Sequence, residues 1–302
     1  MTPAESAAAT PPAEIRRANA AMLLYAFLVS TSFPVVAGIT HGLDPTVMTM
    51  LRFCMATAVL AAVFGPRGEL TWPGAGALLR YAAIGLCMVL FFVSMFEALR
   101  WTDPLSTGAL FTLVPLTAAG FAFALNRQRS GTAQLCCLLV GAAGALWVLF
   151  DGSLAKLLAL SLGRGELTFA LGCLSFALYS PLIAKLHRGE PASVVTFWSI
   201  AAGAVMLALY CAPQLGEVGW AAVPAGVWLG IAYLATFNTA GTFLMAKYAS
   251  VRLPGHKVMA YTYLTPAFVA VMEGALGHGW PAPIVIVGIA LAASATFLLQ
   301  KV

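Results

Sequence analysis

The sequence predicts an all-α polytopic membrane protein: ten transmembrane helices in two inverted five-helix repeats around a central cavity, with both termini cytoplasmic. Three observations predict this fold class. Hydrophobic residues make up 61% of the 302 residues and charged residues only 9%, where a soluble domain carries about 25% charged residues. Long charge-free runs recur, at 18–43, 104–126, 130–150, 167–184, 191–216, 218–246 and 274–300. Prolines inside those runs fall into pairs separated by nearly half the chain.

A charge-free stretch of about 18 residues is long enough to cross a bilayer as a helix. Three shorter runs, 53–66, 81–96 and 258–272, are bounded by single charges that can sit near a membrane end. Divided at Gly, Pro and charge clusters, the chain gives spans near 20–40, 45–64, 81–99, 104–125, 132–150, 166–184, 191–211, 222–245, 254–276 and 281–300. The connections are short, so neighbours run antiparallel. A membrane β-barrel needs alternating segments of about ten residues instead.

The net charge of +5 records topology. With the N-terminus inside, the cytoplasmic segments hold Arg16, Arg17, Arg67, Arg80, Arg127, Arg129, Lys185, Arg188, Lys247, Arg252, Lys257 and Lys301, against Arg100, Lys156 and Arg164 outside. Basic residues favour cytoplasmic loops, so both termini are expected there, and no nucleic-acid partner is needed to explain the charge. Residues 1–18 read as a disordered cytoplasmic tail. The apolar run after Arg16 and Arg17 imitates a signal peptide, but its length and the spans behind it make it an uncleaved first helix. The six cysteines fall in or at the ends of spans with no metal spacing, and read as small packing residues. No metal site and no cofactor are expected.

The repeat carries the argument further. "SFPVVA" around Pro34 recurs as "YSPLIA" around Pro181, 147 residues later. Pro45 and Pro191 open the second and seventh spans. "TLVPLTA" with Pro115 matches "YLTPAFV" with Pro266. The units are 19–150 and 166–302, joined by an outer linker, 151–165. Five helices is an odd number, so the second unit is inverted in the membrane. Inverted repeats with interrupted helices are the architecture of secondary transporters. "GAAGA" (Gly141 to Ala145) and "GIALAASA" (Gly288 to Ala295) present small residues that let helices approach, and are expected to pack on each other.

The order of motifs resembles a known family. A small-aromatic-proline patch is followed by "LRF" (Leu51, Arg52, Phe53), then by "ALRWTDPLSTGALFTLVPLTA" and a Gly-rich "LLVGAAGALWVL". This pattern is similar to the EamA-type transporters of the drug/metabolite transporter superfamily. The resemblance covers nearly the whole chain and implies ten helices around a central cavity, in a bacterial inner membrane. It also implies export of amino acids and related metabolites. Where that family often carries Glu, after the fourth and ninth spans, this chain has Asn126 and His278.

Within the spans, Pro34, Pro115, Pro181 and Pro266 are candidate helix kinks, serving shape or gating. Ser32, Phe33, Phe111, Thr112, Tyr179, Tyr233, Phe237, Asn238, Thr262 and Tyr263 cluster around them as candidate cavity residues. Each alone can be interhelical glue; together, on spans 1, 4, 6, 8 and 9, which the family resemblance implies are central, they suggest a lined cavity. Such a lining suits a small, apolar or zwitterionic solute, and no fixed charge is expected at its centre. Arg52, Glu97 and Glu273 are ionisable within spans, and Arg52 with either carboxylate reads as an outer gate or a structural ion pair. Arg52 can also snorkel outward. The two carboxylates are the only evident proton relays.

The leading function is a metabolite exporter, most plainly of amino acids, working in a lipid bilayer as a monomer. The alternative is a multidrug or quaternary-cation exporter. An intramembrane enzyme lacks a paired-carboxylate, HExxH or GxSxG constellation in the spans, and a non-transporting subunit leaves the matched prolines unexplained.

Overall fold

The computed structural model describes residues 11–158, 162–250, 252–253 and 255–301. It is all-helical among these residues. The long helices are α1 (Pro12–Ile39), α2 (Pro45–Phe64), α3 (Ala75–Ala98), α4 (Pro104–Asn126), α5 (Thr132–Leu149), α6 (Arg164–Leu186), α7 (Ala192–Cys211), α8 (Ala225–Ser250) and α10 (Pro283–Lys301). Among the described residues these nine are long and apolar enough to cross a membrane. The segments Gly255–Ala260, Tyr261–Leu264 and Thr265–Ala275 follow one another without a gap and are called α9.

Helix starts follow local chemistry. Pro45 and Pro104 occupy first-turn positions where the missing N–H costs nothing. Asp44 and Asp103 cap those helices, accepting from Thr46 N and Ser106 N at 2.8 Å.

The four matched prolines behave in two ways. α1 and α6 continue through Pro34 and Pro181 as helix, without the interruption expected there. The Ser30, Thr31 and Ser32 hydroxyls donate to Ala26 O, Leu28 O and Val29 O of the preceding turn, the back-bonding usual for Ser and Thr inside a helix. α4 does break, after Phe111, and resumes at Val114 with Pro115 in its first turn. α9 mirrors this: a 3₁₀ turn at Tyr261–Leu264 precedes the helix in which Pro266 sits in the first turn. α8 carries a different irregularity, a π-helical stretch over Leu234–Gly241.

The main helix pairs map onto one another when each helix is exchanged with the one five places on. α3 packs on α6 as α8 packs on α1; α4 packs on α6 as α9 packs on α1; α3 packs on α7 as α8 packs on α2. The pairs α2–α7, α4–α9 and α5–α10 are self-matched. α5 and α10 meet through their small residues as expected: a Cβ added at Gly144 would lie 2.5 Å from the Ala292 nitrogen.

Two boundaries differ from the sequence reading. The tail expected to 18 ends sooner, because helix begins at Pro12; residues 1–10 lie outside the described residues. Glu14 pairs with Arg252 at 3.0 Å, and Ala18 and Met22 are buried against Ala249, Leu253 and Tyr261. That packing orders a segment whose composition alone read as solvated. The expected linker contains a one-turn helix, Leu154–Leu158, and α6 starts inside it at Arg164.

Both ends of the described chain lie at one end of the bundle, since Lys257 donates to Gln300 O at 2.6 Å while Tyr261 donates to Asn19. At this terminal end Arg80 pairs with Glu190 at 2.7 Å and Lys247 with Glu69 at 2.7 Å. The Glu190 carboxyl is pulled down to about 2, first by the backbone N–H of Arg188, with its own N–H and the Arg80 guanidinium adding to it against burial. At the far end, Arg100 Nε donates to Thr40 O at 3.2 Å, and Glu97 lies 3.4 Å from Arg100 and 3.6 Å from Arg164.

Candidate functional site

A pocket of about 230 Å³ opens within the bundle. Helical spacing sets its walls. α1 contributes Tyr25, Val29, Ser32 and Phe33; α3 contributes Met88, Phe91 and Phe92; α6 contributes Phe176, Tyr179 and Ser180. These are i, i+3, i+4 and i+7 sets, each on one helix face. α4 adds Phe111, Val114 and Ala118; α8 adds Asn238, Thr242, Phe243 and Ala246; α9 adds Met259 and Thr262. Three helices from each half therefore meet here, related by the same exchange as the packing. Arg52, on α2, is the addition that breaks the symmetry.

One wall is aromatic. Phe91 lies 4.5 Å from Phe176 by ring centroid, Phe176 stacks on Tyr179 at 5.7 Å, and Phe33 and Phe111 are 5.9 Å apart. Phe33 also meets a ring further along, Phe169 at 6.0 Å, on the far-end side of α6.

Two polar side chains of the lining, Asn238 and Arg52, are held by hydrogen bonds to residues behind it. Thr31 Oγ1 donates to Leu28 O, so it accepts from both Asn238 Nδ2 (3.1 Å) and Tyr233 Oη (2.7 Å). That uses all three capacities of a hydroxyl. Thr239 Oγ1 donates to Leu234 O and accepts from Arg52 Nε at 3.0 Å. The π-helical stretch makes this possible, since it carries Asn238 toward α1 and its neighbour Thr239 toward α2. π-helical turns are often found at functional sites.

Of the ten cavity residues expected from sequence, six line this pocket: Ser32, Phe33, Phe111, Tyr179, Asn238 and Thr262. Four do not. Thr112 is buried at the α4 break, where its hydroxyl donates to Ala109 O. Tyr233 stands behind Thr31. Phe237 is 52% exposed on the outside of the bundle, because its helix turns Asn238, not Phe237, inward. Tyr263 is fully buried, with its hydroxyl donating to Leu138 O at 3.3 Å and its ring against Gly141.

The expected pairing of Arg52 with Glu97 or Glu273 is absent. Glu97 is held by Arg100, Arg164 and Trp101, and Glu273 by His278 at 3.0 Å. Nor does Arg52 snorkel: it is 1% exposed, with its guanidinium carbon 4.0 Å from the Phe92 ring centroid. The expectation of no fixed charge in the pocket is also overturned, since Arg52 lines it. Its Nε bond to Thr239 and the Phe92 face hold it inward. Sequence reasoning missed the whole α3 contribution; Phe91 and Phe92 sit in a run so apolar that no polar signal marked a face. The unexplained Arg52 was the available signal.

A second space, of about 360 Å³, lies toward the terminal end. It shares Ala118, Ser180 and Met259 with the first and reaches Gln128, Arg129 and Ser130 between α4 and α5. Asn126 Nδ2 donates to Pro181 O beside it, at 3.0 Å.

Comparisons with known proteins agree with this architecture. The EamA-like transporter family matches twice, over residues 16–150 and 163–300. An uncharacterized transporter, YyaM of Bacillus subtilis (strain 168), is 25% identical over 199 residues. That match spans 65% of this chain and 65% of the length of that relative. A chain in a crystal structure superposes with a TM-score of 0.68 at 21% identity, covering 94% of this chain and 97% of that one, which is a likeness of fold. Two family matches, one over each half of a fold whose packing repeats with the same period, make this chain a member of the EamA-like transporter family.

Proposed function

We propose that this chain is a secondary transporter of the bacterial inner membrane that exports small metabolites by alternating access. Amino acids with apolar or aromatic side chains are the favoured substrates. Counting the segmented α9 as one crossing gives ten, and the distribution of basic residues supports both termini on the cytoplasmic side. The bilayer and the solute are then its only partners, and one chain suffices.

The observation that carries this reading is the pocket drawn from three helices of each repeat. Its volume of about 230 Å³ lies below the usual ligand-site range, which starts at about 300 Å³, and so favours a solute of amino-acid size. Aromatic walls with a few convergent polar groups match an apolar body carrying a polar head. The adjoining space supports access from the cytoplasmic side. Phe33, Phe111 and Phe169, with Glu97, Arg100 and Arg164 beyond them, support a closed far end. The alternative, export of multidrug or quaternary cations, fits the aromatic wall but not an arginine beside it with no carboxylate in the lining.

Counterflow in proteoliposomes preloaded with one unlabelled amino acid at a time tests the proposal. Exchange with apolar or aromatic amino acids, lost in Phe176→Ala and Asn238→Ala protein that still folds, is the expected result. No exchange with any amino acid, together with protection of cells against cationic dyes, would overturn it in favour of the multidrug reading.

A further inference from the structure

Arg52 is the most demanding residue in the molecule. It is 1% exposed, lines the pocket, and forms no ion pair among the described residues. A guanidinium has five N–H donors. Nε is spent on Thr239 at 3.0 Å, and Phe92 covers the guanidinium at 4.0 Å from its ring centroid. Nη1 is buried without a hydrogen-bond partner among the described residues. A buried charge is ordinarily paired with an opposite charge, because desolvation penalises it heavily when left alone. An aromatic face offsets only part of that penalty.

Among the described residues the cation–carboxylate pairs lie toward the ends of the bundle, as at Arg80–Glu190, Arg252–Glu14 and Glu97–Arg100. Arg52, buried in the pocket, has no such partner among the described residues. From this geometry we infer that Arg52 is a docking group for the carboxylate of the transported solute, so that substrates are carboxylates with an apolar body, not amines or quaternary cations. The assignment rests on the proposed pocket and names the chemistry of its ligand. Guanidinium and carboxylate match as a planar, charge-assisted pair. Thr239 fixes the guanidinium from one side, which leaves the Nη groups for the ligand. Asn238, next to Thr239, spends its Nδ2 on Thr31, so its Oδ1 remains to accept from an ammonium group. An α-amino acid is then held at both charges, with its side chain among Phe91, Phe176 and Tyr179.

The test is direct binding to the purified full chain in lipid nanodiscs, by calorimetry. The probes are L-phenylalanine, phenylacetate, which lacks the ammonium, and phenethylamine, which lacks the carboxylate. The expected result is that both carboxylates bind at least about ten-fold more tightly than phenethylamine. In Arg52→Gln that preference disappears. Because Arg52→Gln can fail to fold, Thr239→Asp provides a second arm. It puts a built-in carboxylate against the guanidinium, so the fold gains an ion pair while the ligand loses its site. Thr239→Asp is expected to weaken L-phenylalanine by about ten-fold or more and to leave phenethylamine no weaker.

Equal binding of phenethylamine and L-phenylalanine to the unaltered protein would overturn the assignment. So would folded Thr239→Asp protein with undiminished L-phenylalanine binding, the result expected if Arg52 served packing alone. Arg52-dependent binding of phenylacetate without counterflow of any amino acid would sink the amino-acid reading and leave the carboxylate site standing.

Discussion

The ring of Tyr263 on α9 fills the space that a side chain at Gly141 on α5 would need. A Cβ built there would lie 2.2 Å from Tyr263 Cε1. The contact fixes α9 at its 3₁₀ turn, directly before Pro266, where the helix has lost its regular bonds. It makes Tyr263 a packing residue, although its position in the repeat suggested a cavity.

Gly141→Ala is therefore expected to destabilise the protein by about 1–3 kcal/mol, the usual cost of overpacking a tight site. A thermal melt in detergent measures it. Tyr263→Leu is expected to recover part of that loss when combined with Gly141→Ala, because the smaller side chain vacates the Cβ position. An unshifted melt in Gly141→Ala would show that α5 and α9 are not held at this distance.

The Asn238–Thr31 bond joins helices 207 residues apart in sequence. Hydrogen bonds between membrane helices contribute about 0.6 kcal/mol on average. Asn238→Leu and Thr31→Val should each cost little stability, with a coupling near that value in a double-mutant cycle. Counterflow should fall much more in Asn238→Leu than its melt predicts, since Asn238 lines the pocket and Thr31 only supports it. A loss of exchange no larger than that of Thr31→Val would remove Asn238 from the binding site.

Glu97 is held by Arg100 and Arg164 at the far end. Glu97→Gln is expected to leave L-phenylalanine affinity unchanged to within about two-fold, because partly exposed pairs are weak and this one is not part of the pocket. Calorimetry on the variant checks it. A ten-fold loss, about 1.4 kcal/mol, would tie Glu97 to the binding step after all.

Glu190 carries a pH signature. Its folded carboxyl titrates at about 2, below the unfolded value of about 4.3. A depressed carboxyl stabilises the fold above the unfolded value, and that contribution is lost as pH falls from about 4.3 toward 2. Melts of the unaltered protein should be flat in this respect above pH 5 and decline below it. Glu190→Gln should flatten the acid decline. Arg80→Gln should shrink it and leave its onset at about pH 4–5, since part of the depression comes from the guanidinium and the unfolded value does not change. An identical acid decline in Glu190→Gln would assign it to other carboxylates.

The spans were legible because membrane insertion is a local requirement. Each helix must satisfy its own backbone and present an apolar surface, so the nine long helices announce themselves as apolar runs of about 20 residues. The repeat was legible through Pro115 and Pro266, which interrupt helices at matched places. Residues 12–18 were misjudged because their order comes from α8 and α9, far along the chain. Four of the ten cavity assignments, Thr112, Tyr233, Phe237 and Tyr263, missed the lining for the same kind of reason. Phe237 and Asn238 are neighbours, and only the π-helical turn decides which faces in.

The sequence by itself determined the helical class, the nine long apolar helices and the division into two repeats, since these follow from hydrophobic length, charge placement and backbone satisfaction. Only the tertiary structure decided where Arg52 points and what it lacks. Its partners lie elsewhere in the chain, Phe92 on α3 and Thr239 on a distorted turn of α8, and a pairing across three helices leaves no periodic trace in any one of them.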